Sequence, residues 1–590
     1  MFSGLVSMWL VTVLGQTPGA AADTAWLKQV PASADVVIRI RGVEPVRDDL
    51  SKMIQAMSPA LANQVTPALE QGSQQILGEL GKDAFDASAP ILALIRLPKP
   101  GELDAKKGPP FAAFAHTKNY TAFQKAIAKG GDPQSKHQSG GYDTIKDNEG
   151  NPLYTIKGDG YAAISNDEEL MKSIAKPTDT LDKTLKADLK TSLFTGDLGI
   201  LVSLAAVQKQ YGDHIDAARQ QLMATLDAVS QQAGGEMMKP AKAMYGAMFD
   251  GLKDADALVL NFDFSAAGLT LGGDLTTKPG TETAKFFTGP KTAAGDTLAK
   301  LPADATTYLF ANTSPSTIAK LQSWGIQFLT GPDEKPSPEF QKALELQRQA
   351  GVKDITVASG IGPEGVRGLS VLTYSDPQKA VEATSASMQA IKSSKSELVA
   401  MIKDISIEPK AENYRGFALS HAKVTLDFDK LGKLQPTGVN LGNMMKAMMG
   451  EAMNTWYGTD GKVLLSVVAT DWPKAKAQID AFLSGQGTVG KTASYQSLRS
   501  KLPAQVNGLF LMSAQGFVNQ ITTQLSAVQP DNPALKKPGD MPKETVFFGG
   551  SILTKPGALQ FKTVVPSAVG EVFEKGVSPI IQALTGKVNQ

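Results

Sequence analysis

Two rhythms of hydrophobic and polar positions take turns along this chain, one with the two-residue period of a strand and one with the three-to-four spacing of a helix. Near the start, Val30-Pro31-Ala32-Ser33-Ala34-Asp35-Val36-Val37-Ile38-Arg39-Ile40 leads from a proline turn into an apolar strand, and Val46 to Met57 follows with helical spacing. The order returns as Leu301-Pro302-Ala303-Asp304-Ala305-Thr306-Thr307-Tyr308-Leu309-Phe310, with a loop and helix start over Ser314 to Leu321. It returns again as Leu502-Pro503-Ala504-Gln505-Val506-Asn507-Gly508-Leu509-Phe510-Leu511-Met512, ahead of a helical Gln515 to Leu525. Such reuse predicts a duplicated strand-then-helix unit.

Between these stretches the pattern predicts strands at Ala89 to Leu97 and Phe111 to His116, then a short helix at Tyr120 to Ala128. Tyr142 to Ile145, Pro152 to Lys157 and Tyr161 to Ile164 read as a meander, separated by Asp147-Asn148-Glu149-Gly150 and Gly158-Asp159-Gly160. Helices are predicted at Asn63 to Leu80, with Pro67 in the first turn, and at Asp167 to Ile174, whose leading acids suit a helix N-terminus. Ile200 to Val229 carries one long apolar stripe and predicts a single amphipathic helix of about 45 Å. Met237 to Leu252 is a further helix. Asp256 to Phe264 and Gly268 to Leu275 form the strongest hairpin signal.

In the second half, helices are expected over 340–350, Pro377 to Leu398, Trp472 to Leu483 and Val572 to Leu584. Strands are expected at Ile355 to Ala358, Gly368 to Thr373, Val463 to Ala469, Thr545 to Phe548 and Leu559 to Val565, with a hairpin from Tyr414 to Leu419 and Ala422 to Phe428. Two local echoes support duplication. Methionines at 237, 238, 244 and 248 parallel those at 444, 445, 448, 449 and 453, and Leu275-Thr276-Thr277-Lys278-Pro279-Gly280 recurs as Leu553-Thr554-Lys555-Pro556-Gly557. The expected fold is α+β: repeated antiparallel-sheet and helix modules in two divergent halves, with long amphipathic helices. The expected division is a leader over 1–22 and halves over 23–299 and 300–590.

Composition narrows the function classes. Fifty-nine Lys and Arg against 58 Asp and Glu leave a net charge of +1, which gives no broad electrostatic basis for holding nucleic acid. The absence of cysteine excludes disulfides, thiolate ligands and cysteine nucleophiles. Leu5 to Leu14 is a short apolar core followed by the small-residue run Gln16 to Ala22, a leader-like pattern that predicts export to the periplasm or the extracellular space, although no Lys or Arg precedes the core. No later run approaches ~18 uninterrupted apolar residues, so the chain is not expected to span a membrane after leader removal.

Candidate chemistry is sparse. His116, His137, His214 and His421 share no HExxH or other close metal spacing, and no serine stands in a G-x-S-x-G elbow. Gly360-Ile361-Gly362-Pro363-Glu364-Gly365 matches G-x-G-x-x-G, but a strand-like Val366 to Leu372 follows where a dinucleotide site needs a helix, so a hairpin turn is the better reading. Gly158-Asp159-Gly160 lacks the oxygen ligands of a calcium loop. Met444/Met448 and Met445/Met449 are i,i+4 pairs suited to Cu(I), but without a nearby His or Cys they read as flexible packing or an apolar contact surface. The carboxylate pairs Asp48/Asp49 and Glu168/Glu169 read as solvated helix ends. No catalytic, cofactor-binding or metal residue is assigned, and no cofactor.

At the three proline-led stretches, the hairpin at Asp256 to Leu275 and the leader-like start, the chain resembles poorly characterised exported bacterial proteins of the DUF3352 type. The resemblance spans most of residues 25–590 and implies an extracytoplasmic α+β protein, with no catalytic residues to carry over. The expected function is that of an exported, non-enzymatic binding or structural protein of the cell envelope, with an envelope protein, a polymer or an apolar ligand as partner. One alternative is a hydrolase with dispersed Ser/His/Asp or carboxylate residues. The other is a carrier of lipid or another apolar ligand, which predicts a continuous apolar cavity in one half.

Overall fold

A computed structural model describes residues 24–585 except 81–83, 103–107, 129–134, 233–238, 290, 313, 315–336, 363–364, 394–401, 429–445, 447–449, 451, 529–534 and 536–540. The leader-like segment, the helix start after Ser314, Met237, Met238 and the Met444 to Met449 group lie outside the described residues.

The first half contains β1 (Val36–Ile40), α1 (Val43–Met57), α2 (Pro59–Leu80), β2 (Ile91–Ile95), β3 (Phe111–His116), α3 (Tyr120–Ala128), β4 (Lys136–His137), β5 (Asp143–Lys146), β6 (Pro152–Lys157), β7 (Tyr161–Ser165), α4 (Glu168–Ala175), α5 (Leu181–Thr184) and α6 (Ala187–Leu193). It continues with β8 (Leu198–Ser203), α7 (Leu204–Gln232), α8 (Lys239–Asp254), β9 (Ala255–Ser265), β10 (Gly268–Thr277) and α9 (Glu282–Thr288). The second half contains β11 (Thr307–Asn312), α10 (Pro338–Ala350), β12 (Val352–Gly362), β13 (Gly365–Tyr374), α11 (Pro377–Ser393), β14 (Ile402–Tyr414), β15 (Phe417–Leu426), β16 (Ala452–Thr459), β17 (Val463–Ala469), α12 (Trp472–Ser484), α13 (Ala493–Ser500), β18 (Gly508–Ser513), α14 (Ala514–Val528), β19 (Phe547–Lys555), β20 (Ala558–Pro566) and α15 (Ala568–Thr585).

The chain forms two compact units. Unit one takes Met1–Asp216, Lys253–Pro279 and Ala558–Ala568, and unit two takes Ala217–Leu252, Gly280–Gly557 and Val569–Gln590. In unit one the strands lie side by side as β4-β5-β6-β7-β3-β2-β1-β8-β9-β10-β20, every pair antiparallel. In unit two they run β14-β15-β16-β17-β13-β12-β11-β18-β19, again antiparallel throughout. Each strand number in the second order is ten above its counterpart in the first. The fold is thus α+β, built from a duplicated antiparallel-sheet and helix module.

Matching hydrogen bonds show that the duplication reaches single residues. The Val30 carbonyl accepts from Leu181 N–H at 2.9 Å, and the Leu301 carbonyl accepts from Val489 N–H at 2.9 Å. Pro31 bridges to Thr180 and Pro302 to Thr488. Ser203 N–H donates to the Asp35 carbonyl and Ser513 N–H to the Thr306 carbonyl, both at 2.8 Å. The hydroxyls of these serines then cap the following helices, accepting from Ala206 N–H at 3.3 Å and Gly516 N–H at 3.0 Å. Asp167 and Asp471 likewise cap α4 and α12.

The third proline-led stretch has a different meaning from the first two. It forms β18, the counterpart of β8, and lies directly beside β11. Leu309 and Phe510, each seven positions past its proline, sit opposite one another. Strict alternation splits each of these strands between two faces. In unit one, Val37, Leu92, Leu94, Ala112, Phe114, Leu201 and Val259 fill one face against Leu170, Met171 and Ile174 of α4, Leu181 of α5, and Leu189 and Leu193 of α6. In unit two, Tyr308, Phe310, Leu509, Leu511 and Phe547 are buried on the corresponding face. At roughly 1.5–3 kcal/mol per buried large side chain, these covered faces supply the main driving force of each unit.

Several expectations are corrected. Ile200 to Ser203 belong to a strand, not to the long helix, because β8 pairs on both sides, with β1 and β9. An inner strand apolar on both faces extends a helical stripe by coincidence. Pro67 lies inside α2, which begins at Pro59, so it is not in the first turn. The hairpin near 414 turns at Arg415-Gly416, and most of its first strand, Ile402 to Asn413, escaped the sequence reading. That strand is a sheet edge, and Lys403, Asp404, Glu408, Pro409, Lys410, Glu412 and a register break between Glu408 and Glu412 hide its alternation while blunting it against further pairing. The Lys-Pro-Gly echo is not part of the duplication: Lys278-Pro279-Gly280 follows β10, whereas Lys555-Pro556-Gly557 joins β19 to β20. The methionine echo also fails: Met244 and Met248 lie ahead of β9 and Met453 lies within β16, and these two strands hold different places in the strand order.

Candidate functional site

The second face of each sheet carries the chain's unusual surface. In unit one, Ala113, Ala93, Ile38, Ile200 and Leu260 form a row across β3, β2, β1, β8 and β9. Phe111, Ile95, Val36, Val202 and Leu258 form the next, and every member of both rows is half-buried. Phe561 extends the first row by lying over Gly273, whose missing Cβ makes room for the ring. The third row is closed. Ile40, Leu198 and Phe262 pack under Val46 of α1 and Phe85, and under Leu50 and Met53 of α1 and Leu69 of α2.

In unit two the equivalent face is more open. Ser370, Val357, Leu309, Phe510 and Gly550 form one row, with Leu309 43% and Phe510 39% exposed. The neighbouring row runs Leu372, Ile355, Ala311, Gly508 and Ile552, and Ile552 is 46% exposed. Met512 and Phe548 are half-buried partners on the other side. Where unit one has Ile40, Leu198 and Phe262, unit two has Ala311, Gly508 and Ile552. Two small residues thus leave a shallow floor bounded by Phe510 and Ile552. These rows contain no charged side chain. Contiguous exposed hydrophobics of this kind are uncommon unless they meet a ligand or a partner.

The residues singled out for chemistry stand apart from this face and from one another. His116 packs on the Trp26 indole with ring centroids 4.9 Å apart. His137 is exposed and pairs with Asp143 at 2.9 Å. His214 meets Tyr211 edge-on. His421 lies flat on Trp456 at 4.7 Å, with Nε2 3.1 Å from the Asn454 side-chain oxygen. Among the described residues no group of three or more His, Asp or Glu side chains converges as a metal site.

Gly362 pairs with Gly365 across the end of the β12–β13 hairpin, so the G-x-G-x-x-G run opens a second strand and no helix. Gly158-Asp159-Gly160 turns the chain between β6 and β7, with Gly158 N–H donating to the Tyr161 carbonyl. Of the described methionines, Met244 and Met248 are 62% and 58% exposed on α8.

The carboxylate pairs are not merely solvated. Asp49 is largely buried and accepts from Arg41 at 3.1 Å and Lys52 at 2.6 Å, while Glu168 accepts from the Tyr142 hydroxyl at 2.6 Å. The Tyr142 hydroxyl first, and then Lys172, pull Glu168 below the ordinary carboxylate range. One member of each pair thus ties its helix to a residue flanking a strand, Asp49 to Arg41 after β1 and Glu168 to Tyr142 before β5, while Asp48 and Glu169 stay exposed.

No protein-family model matches the chain, and no curated protein matches it. Among solved structures it is similar to crystal forms I, III and IV of TP0453, at 10–11% identity over 43–45% of this chain and 82–83% of that one. The TM-scores of 0.18–0.22 are those of a loose overlay. No described helix is long and apolar enough to cross a membrane.

Proposed function

We propose that this chain is a non-catalytic binding protein for an apolar ligand, of the class of lipid hydrocarbon chains, held on the open sheet face of unit two. The observation that carries the reading is the contiguous set Leu309, Phe510 and Ile552, each about two-fifths or more exposed on neighbouring strands of a rigid antiparallel sheet. A fixed, uncharged surface with a shallow floor favours hydrocarbon over a polar solute, and it contains no group that would activate water or hold a phosphate. The leader-like N-terminal pattern supports a place outside the cytoplasm, where a carrier or envelope binding protein of this kind would work.

The test is titration of the full chain with a fluorescent fatty acid, beside Leu309→Ser and Phe510→Ser variants. Saturable binding weakened about tenfold by either substitution is expected, corresponding to roughly 1.4 kcal/mol of lost apolar contact. Absence of saturable binding by a folded wild-type chain, or binding indifferent to both substitutions, would sink the proposal. Loss of a protein contact in the same variants, without any effect on the fatty acid, would point to an envelope protein as the partner.

A further inference from the structure

Asp197 and Asn507 occupy matched positions of the duplicated fold, one titratable and one neutral. Asp197, just before β8, donates its N–H to the Phe262 carbonyl at 2.7 Å, and its carbonyl accepts from Arg41 N–H at 2.8 Å. Its side-chain Oδ2 accepts from Phe264 N–H at 2.9 Å. Asn507, just before β18, repeats all three bonds. Its N–H reaches the Ile552 carbonyl at 2.9 Å, its carbonyl accepts from Asn312 N–H at 2.7 Å, and its side-chain oxygen accepts from Thr554 N–H at 2.7 Å. A neutral amide therefore serves this clasp as well as a carboxylate does.

We infer that Asp197 is a proton-operated latch that tightens unit one on acidification, a switch that the neutral Asn507 cannot supply at the matching place in unit two. The Asp197 side chain is fully shielded from water, and the charged groups that act on it are Arg41, Asp263 and Asp49. Arg41, following β1, lies 3.2 Å from Oδ1 and is shared with Asp49 of α1, which Lys52 also contacts. Asp263 of β9 adds a like charge, and Arg39 of β1 is directed instead to the Gly196 carbonyl. Burial dominates, and it pushes the Asp197 carboxyl up to about 6 against the pull of Phe264 N–H and Arg41. A carboxyl raised in the folded state contributes stability that is full below its unfolded range near 4 and is lost as pH rises through its folded value. Unit one therefore gains as pH falls from about 7 to 4, with a ceiling of roughly a hundredfold in its opening equilibrium.

Native-state hydrogen exchange of the full chain, corrected for the intrinsic pH dependence of exchange, reads the two units separately. Between pH 7 and 5, amides of β1, β8 and β9 should gain at least several-fold in protection relative to those of β11, β18 and β19. Asp197→Asn, which copies the side chain already working at position 507, should abolish that relative gain, and Asn507→Asp should confer one on unit two. A wild-type protein with no relative gain, or an Asp197→Asn variant that keeps it in full, would overturn the latch.

Discussion

Phe310 and Phe510 offer the sharpest test of which sheet face is closed. They sit on neighbouring strands of the same sheet but point to opposite sides: Phe310 is 3% exposed and Phe510 39% exposed. Phe310→Ala removes a fully enclosed ring and leaves a cavity, a loss of about 3–5 kcal/mol. Phe510→Ala removes a ring already about two-fifths in water. The transfer contribution therefore shrinks to roughly three-fifths of the ~1.5–3 kcal/mol for full burial, about 1–2 kcal/mol, and an open face adds no cavity penalty. Urea unfolding of the full chain, followed by far-ultraviolet circular dichroism, should show the unit-two transition falling much further for Phe310→Ala than for Phe510→Ala. Equal losses would mean that Phe510 is enclosed as tightly as Phe310. The apolar face would then be core, and the ligand reading would fall with it.

Three further outcomes follow from the same geometry. Ser203→Ala and Ser513→Ala should each cost about 1 kcal/mol in thermal or urea unfolding, since each removes a helix N-cap bond at matching places in the two units; a difference well above 1 kcal/mol between them would argue against equivalence. Gly549→Ala should collapse the yield of folded protein, because the added Cβ would run into the Phe510 carbonyl across β18 and β19, and a variant that melts like wild type would refute that register. Ile552→Lys should cost no more than about 1.5 kcal/mol, since nearly half of the side chain is already in water, while weakening fatty-acid binding; a loss of about 3 kcal/mol or more would show that Ile552 is packed.

The duplicated architecture was legible because proline fixes the entry to a strand and the alternation after it survives divergence. Val30-Pro31, Leu301-Pro302 and Leu502-Pro503 each open a sheet strand at the expected place. Their relation was less legible. The sequence cannot show that the second and third are adjacent strands of one unit, because that depends on the pairing of β11 with β18 across about 200 residues. Short likenesses misled where turn chemistry recurs freely, as with Lys-Pro-Gly, or where a strand runs directly into a helix, as at Ile200 to Ser203. The candidate face was hidden for a simpler reason. Leu309 and Phe310 are adjacent and both apolar, so the pattern does not say which of them meets solvent.

The last strand of unit one carries a consequence for the order in which the protein is made. β10 pairs along its length with β20, whose residues lie about 300 positions further on. At about 5–20 residues per second, a growing chain exposes the β10 edge for roughly 15–60 seconds before its partner exists. During that interval an open row of backbone donors and acceptors is available to any passing strand. Synthesis thus imposes a waiting period on the N-terminal unit: it cannot close before nearly all of the second copy has emerged, and a chaperone shielding residues 268–276 would be needed most at the time when most of unit one is already able to fold.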